Sequence, residues 1–406
     1  MQALFDFMGR RFRHGGLEVR SARGGAVWTL GPGEEPRAVI EVRDASVLTS
    51  ILRNPALRFG ETFMEGGWNP VDGSLLSVLE AGLALINSVE LTPRERQLMK
   101  LRGHIGEINS PFSSRRNVAH HYDLDRELYA AFLDAGLFYS CAYYREPGMD
   151  LEAAQQAKCA HIAAKLDLRP GARVLDIGCG WGGLAMYLAE HHGVHVTGIT
   201  LSKEQLAVAR QRVNERGLDS RVELRLEDYR LTEGRFDAVV SVGMFEHVGR
   251  PQYPKFFRRV RELLKADGVA LLHTIGRSTP PGFTNPWIRK HIFPGGYIPA
   301  ASEVLEAIEA EGLVVSDLEI WRLHYAWTLA EWHRRFQAER ELFRARFGER
   351  FCRMWEFYLQ ASEASFRWGD LVVFHFQLLR DQTRLPYTRG YLYRGVVDGA
   401  RASVEP

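Results

Sequence analysis

Residues 172–193 read ARVLDIGCGWGGLAMYLAEHHG, and this stretch decides the fold. Residues 174–177, Val-Leu-Asp-Ile after Pro170 and Gly171, read as a short buried strand whose one polar residue is Asp176. The glycines that follow turn the chain sharply, and an apolar helical pattern begins near Gly182. Downstream the alternation repeats. Strands at 195–200 (HVTGIT), 222–228 (VELRLED), 236–242 (FDAVVSV) and 268–276 (GVALLHTIG) are joined by helices near 203–216 and 254–265. Upstream lies a helical region whose clearest part is 153–168. This spacing predicts an α/β architecture, a Rossmann-like, mostly parallel doubly wound sheet.

Further out, a Pro- and aromatic-rich loop leads to a long helical segment from about Leu323. There Tyr325, Leu329, Trp332, Phe336, Phe343 and Phe347 keep one face, while Arg334, Arg335, Arg340 and Arg344, interleaved with Glu, read as a solvated face. At the other end, runs at 17–19 and 26–30 across Gly24-Gly25 predict a hairpin, with another short run at 38–42 and a helix near 47–52. The stretch between, 102–116, is poor in apolar residues and rich in Gly, Ser and Arg. The expected organisation is a smaller amino-terminal α+β domain (1–101), a linker (102–116) and a larger domain (117–406).

Composition narrows the function. The 406 residues suffice for two to three domains, and 46% apolar with 25% charged is an ordinary globular balance. A net charge of +2 is too small for a chain that grips nucleic acid. No run approaches the roughly 18 to 20 apolar residues of a membrane span. The start MQALFDFMGRRFRH is interrupted by Asp6 and turns basic, unlike a secretory signal. The four cysteines include no CxxC pair, which argues against a disulfide framework or structural zinc and for a reducing cytoplasm.

The turn Asp176-Ile-Gly-Cys-Gly-Trp-Gly182 is the strongest chemical signal. Its spacing is GxGxGG rather than GxGxxG, and the second strand ends in Gly198-Ile-Thr-Leu-Ser202 with no acid for a ribose diol, so NAD fits poorly. The pattern resembles the first motif of class I S-adenosylmethionine-dependent methyltransferases. By that resemblance Asp176, Gly178, Gly180, Trp181 and Gly182 meet the methionine moiety, with Tyr139 and Ser140 beside them. Thr200, Leu201 and Gln205 fall at the ribose, and Glu227, Asp228 and Tyr229 at the adenine.

A more specific resemblance covers residues 117 to the end. HHYDL (120–124), FYSCAYY (138–144), GITLSKEQ (198–205), FDAVVSVGMFEHVG (236–249), LLHTIG (271–276) and NPWIRKHIFPGGYIP (285–299) look like the cyclopropane-fatty-acyl-phospholipid synthase family. GETFMEGGW (60–68) is a weaker echo, and Asp125-Arg-Glu127 departs from the family's usual Gly-Asn pair. The resemblance implies methyl transfer from S-adenosylmethionine to a cis double bond of an unsaturated membrane phospholipid, followed by ring closure. An alkene is a weak nucleophile, so the methyl must be held in line; the resulting cation needs a dry pocket, aromatic faces and a neighbouring base. The family is thought to hold a bicarbonate ion as that base. The matching positions are Cys141, Glu246, His273, Ile275 through its backbone, and Tyr325. Glu246-His247 is half a metal motif without a second ligand at helical spacing, so no metal is expected. Cys159, Cys179 and Cys352 read as structural.

The resemblance also implies a lipid-handling amino-terminal domain, a homodimer and peripheral association with the inner face of the membrane. Two stretches are candidates for membrane contact: Leu4, Phe5, Phe7, Met8 and Phe12 beside Arg10, Arg11 and Arg13, and Trp287, Ile288, Phe293 and Tyr297 with Arg289 and Lys290. The first reads equally well as a helix packed on its own domain. Two rival functions stay open: a same-family methyltransferase leaving a methyl or methylene branch, and an inactive lipid-binding protein.

Overall fold

The computed structural model describes Phe5, residues 9–89 and residues 126–393. They fall into two compact units, Met1–Gly106 with Gly282–Pro294 and Tyr325–Val372, and Glu107–Pro281 with Gly295–His324 and Val373–Pro406. Residues 282–294 and 325–372 therefore group with the amino-terminal residues and not with the rest of 117–406. The expected linker, the HHYDL segment and Asp125 lie outside the described residues.

In the first unit β1 (Gly16–Ser21) pairs antiparallel with β2 (Val27–Leu30) and parallel with β3 (Arg37–Val42), which pairs with β4 (Trp68–Asp72). Asp44 caps the helix Ala45–Arg53 by accepting from the Ser46 N–H. The Gly-rich echo at 60–68 is mostly helix, Pro55–Met64, and Gly60 is needed there: a Cβ would lie 2.6 Å from Trp287 Nε1 and 2.7 Å from the Phe357 ring. Burial pushes the Glu61 carboxyl up, but Lys290, Arg58 and His291 outweigh it and hold it at about 2.

This packing corrects the candidate membrane contacts. Trp287 is buried against Phe357, at 4.7 Å between ring centroids, and Tyr297 is buried with its hydroxyl donating to Glu303. Lys290 is tied to Glu61. Phe5 is buried, its ring 6.0 Å from Trp28, while Leu4, Phe7 and Met8 lie outside the described residues. Phe5, Trp287 and Tyr297, which look interfacial in sequence, are here core residues, while Phe12, Ile288 and Phe293 stay partly exposed. Among the described residues no helix is long and apolar enough to cross a membrane.

The second unit holds seven strands in the order β10-β11-β9-β8-β5-β6-β7: β5 (Arg173–Ile177), β6 (His195–Thr200), β7 (Val222–Leu226), β8 (Phe236–Val242), β9 (Leu264–Arg277), β10 (Val314–Trp321) and β11 (Leu371–Leu379). From β5, parallel partners run outward on both sides, Val174 opposite Val196 on β6 and Leu175 opposite Val239 on β8. Val174, Val196, Leu224 and Leu271 form one core with Ile162, Leu188 and Ala209 of the covering helices. The order reverses between β5 and β8, and ligands bind at such switch points.

Two strands were not expected. β10 pairs antiparallel with β11, and its pattern is hidden because Asp317 and Glu319 both bind the buried Lys165, at 3.2 and 2.7 Å. The long helical segment is three helices, His324–Ala338, Arg340–Phe347 and Glu349–Arg367, the last break at Gly348 with φ +83°. Phe336 and Phe343 still stack, at 5.4 Å.

Candidate functional site

The turn after β5 is held by its own backbone. The Gly178 and Cys179 N–H groups both donate to the Ile199 carbonyl, at 2.9 and 3.0 Å, and Gly182 N–H donates to Cys179 O. Gly178 sits at φ +85°, where a side chain is strained, and a Cβ there would lie 2.9 Å from the Met244 Cβ. The result is a pocket at the carboxyl ends of β5, β6, β7 and β8. Its walls include Tyr139, Ser140, Asp176, Gly178, Gly180, Trp181, Thr200, Leu201, Gln205, Glu227, Asp228 and Tyr229. Of the predicted cofactor residues only Gly182 is not in the wall. It begins the following helix, and a Cβ there would press on Ala209 at 3.2 Å, so its smallness serves helix packing.

The electrostatics of this pocket are those of a polar ligand's site. Asp176 is 2% exposed, one of its oxygens has no partner, and burial pushes its carboxyl up to about 7 against the pull of Lys158. Glu227 also keeps a buried oxygen without a partner. Thr200 Oγ1 donates to Gln205 Oε1 at 3.2 Å and accepts from the Ser202 N–H, which fixes the second strand end. Asp228 is bound by its neighbour Arg230, and Tyr229 stands edge-on to Phe256 with its hydroxyl pushed up to about 12 by burial. These groups fit S-adenosylmethionine: the unpartnered Asp176 carboxylate suits an ammonium, the polar second strand end suits a diol, and the apolar walls suit a flat ring. With this fit, Asp176 would hold the methionine end, Thr200 and Gln205 the ribose and Glu227 the adenine side.

Sequence reading missed Lys158. It is buried in the pocket wall, its ammonium donates to Ser140 Oγ at 2.8 Å, and it lies 4.0 Å from the centre of the Phe138 ring. Burial lowers its pKa, opposed by Cys159, Asp134, Cys141 and Asp176. A signal was present: Lys158 and Lys165 lie seven residues apart, two turns along one face of the alanine-rich helix Leu151–Leu166.

Glu246, His273 and Ile275 meet at the ends of β8 and β9. Gly243 N–H donates to the His273 carbonyl at 3.0 Å, and the Ile275 N–H donates to Glu246 Oε1 at 2.6 Å. The other oxygen, Oε2, is buried with no partner, and burial pushes the carboxyl up to about 7. His273 Nδ1 is 2.7 Å from His375 Nε2, and burial, with Lys158 and Lys165 adding to it, holds the ring's pKa far below its usual range. Cys141 is buried, its thiol donating to the Ala142 carbonyl. Tyr325, the second residue of the helix His324–Ala338, belongs to the other unit and has its ring 4.8 Å from Phe366, so its membership of the set rests on the resemblance. Burial also lowers the His247 imidazole to about 4. Among the described residues no group of three or more His, Cys, Asp or Glu is placed to hold a metal ion.

Comparison with known proteins agrees with this geometry. The profile of a family described as mycolic acid cyclopropane synthetase matches residues 110–376. The cyclopropane-fatty-acyl-phospholipid synthase of Escherichia coli (strain K12) is 39% identical over 337 residues, 82% of this chain and 86% of that one. The tuberculostearic acid methyltransferase UfaA1 of Mycobacterium tuberculosis is 36% identical over 356 residues, 84% of this chain and 82% of its own. The mycolic acid cyclopropane synthase CmaA1, solved with SAH and CTAB, is 36% identical, covers 65% of this chain and 97% of itself, and has a TM-score of 0.62.

Proposed function

From the premise that this chain belongs to the mycolic acid cyclopropane synthetase family, we propose that it cyclopropanates the cis double bond of an unsaturated membrane phospholipid. When bound, S-adenosylmethionine supplies an electrophilic methyl group and bicarbonate a proton acceptor. The chain's own residues do the rest. Asp176 orients the methionine end, and Phe138, Tyr139 and Trp181 in the pocket wall exclude water. Glu246 Oε1 is locked by the Ile275 N–H, which leaves Oε2 to accept the hydroxyl of a small oxyanion, while His273 Nε2 donates to it. The unpartnered, buried Oε2 of a carboxylate whose other oxygen is bound by the Ile275 N–H, two residues along the strand from His273, is the observation that carries this reading.

The test is incubation with methyl-labelled S-adenosylmethionine and unsaturated phospholipid vesicles, with lipids read by mass spectrometry. A ring-containing product formed without reductant is expected; a methylene-branched product would favour the branching chemistry of relatives such as the tuberculostearic acid methyltransferase. Turnover should fall when carbonate species are rigorously removed and recover when bicarbonate returns. Indifference to bicarbonate would remove the oxyanion from the reading.

Residues 1–101 serve lipid handling in this proposal, 102–116 are a linker and 117–406 catalyse, with the protein acting as a homodimer on the membrane surface. Arg10, Arg11, Arg13 and Arg289 are exposed and suit anionic headgroups. Because such charges are screened beyond about 10 Å at 0.1 M salt, vesicle co-sedimentation should weaken steadily across a salt series. Salt-independent sedimentation would leave apolar insertion alone.

A further inference from the structure

His273 and His375 form a buried pair of a kind that constrains where a proton sits. They come from adjacent strands, β9 and β11, and His273 Nδ1 lies 2.7 Å from His375 Nε2. His375 is wholly buried, and its remaining nitrogen, Nδ1, has no hydrogen-bond partner. The nearest ring is Trp321, at 4.0 Å between centroids, whose indole offers a donor and no acceptor. His161 lies 6.1 Å away by ring centroid, its Nε2 engaged with Glu319 at 2.7 Å. Burial, with Lys165 and Lys158 nearby, keeps both imidazoles neutral, so one proton bridges the pair.

Two arrangements are available. If His273 donates from Nδ1, the His375 proton sits on Nδ1 and an N–H is stranded where nothing accepts it. If His375 donates from Nε2, its sealed Nδ1 keeps only a lone pair and the free N–H moves to His273 Nε2, which is not sealed as His375 Nδ1 is; sealed, orphaned N–H groups are the rarer case. We infer that His375 is a positioning residue that donates to His273 Nδ1 and thereby fixes His273 as the Nε2–H tautomer. Among the described residues His273 Nε2 has no partner, so the proton is presented outward as a donor. What it is presented to, a small oxyanion beside Glu246, rests on the function proposed above. Such supporting partners typically change activity 10- to 100-fold when removed, because the acting ring loses its tautomer and orientation.

The experiment has two arms on the full-length protein. Long-range proton–nitrogen correlation of nitrogen-labelled histidine, with His273 assigned through His273→Gln, should show His273 protonated at Nε2. The Nδ1–H tautomer would overturn the inference. In kinetics, His375→Leu should lower kcat roughly 10- to 100-fold and raise the bicarbonate needed for half-maximal rate, with the KM for S-adenosylmethionine unchanged. His375→Gln, whose amide N–H can still donate to Nδ1, should restore most of the rate. Equal losses in both variants would also overturn the inference. If His375→Leu fails to fold, the tautomer measurement on the unsubstituted protein still decides. An Nε2–H tautomer in a protein indifferent to bicarbonate would reject the oxyanion reading and leave the positioning role standing.

Discussion

Glu246→Gln is expected to lower turnover by 10²- to 10⁴-fold, the range for loss of general-base function, while leaving S-adenosylmethionine affinity unchanged. The substitution isolates one oxygen. A glutamine carbonyl can still accept the Ile275 N–H that Oε1 now accepts at 2.6 Å, so the local fold survives. Only Oε2 changes, from an unpartnered buried acceptor into an N–H₂ donor. Glu246 lies outside the walls of the cofactor pocket, so binding and turnover separate. Calorimetric titration beside steady-state assays checks this, and normal turnover in the variant would reject the role of Glu246.

The same residue sets a pH dependence. Burial raises its carboxyl to about 7, and the Ile275 N–H, its own backbone N–H and the nearby Thr274 hydroxyl only partly oppose this. The accepting role needs the ionised form, which predominates above that value. Turnover should therefore fall as pH drops through about 7, well above the ordinary carboxylate range, and Glu246→Gln should lose this limb. An acid limb at the ordinary glutamate value would contradict this.

Gly178→Val should reduce S-adenosylmethionine affinity on the order of 100-fold, equivalent to about 2.7 kcal/mol. Holding a non-glycine residue in a sparsely populated backbone region costs about 1–3 kcal/mol, and Gly178 sits at φ +85°. Its Cβ would also lie 2.9 Å from the Met244 Cβ, which sits at the base of a side chain and cannot swing clear. The turn must open, and the turn is the pocket wall. Gly178→Ala should lie between wild type and valine. Titration of the folded variants measures it; wild-type affinity in folded Gly178→Val would remove the turn from cofactor binding.

What was legible in the sequence was local. A run such as RVLDI must be a doubly buried strand, and GCGWGG must turn it, because these follow from neighbours a few residues apart. The parallel α/β sheet followed from that reading, and the residues of the pocket walls from Tyr139 to Tyr229 from the resemblance to methyltransferases. β10 was not legible: Asp317 and Glu319 look like surface residues until Lys165, from a helix about 150 residues earlier in the chain, lies against them. Trp287 read as a membrane anchor for the same reason, since its partner Phe357 is distant in sequence.

The amino-acid sequence alone determined the α/β class, the glycine turn and, through resemblance, the residue types of the reaction. Tertiary structure alone decided that Glu246 keeps one oxygen bound and one unpartnered, that Lys158 lies in the pocket wall, and that His375 stands behind His273. The physical reason is one of range. Periodicity and turn chemistry act between near neighbours along the chain, whereas desolvation and hydrogen-bond partnership depend on what the rest of the chain brings within a few ångströms.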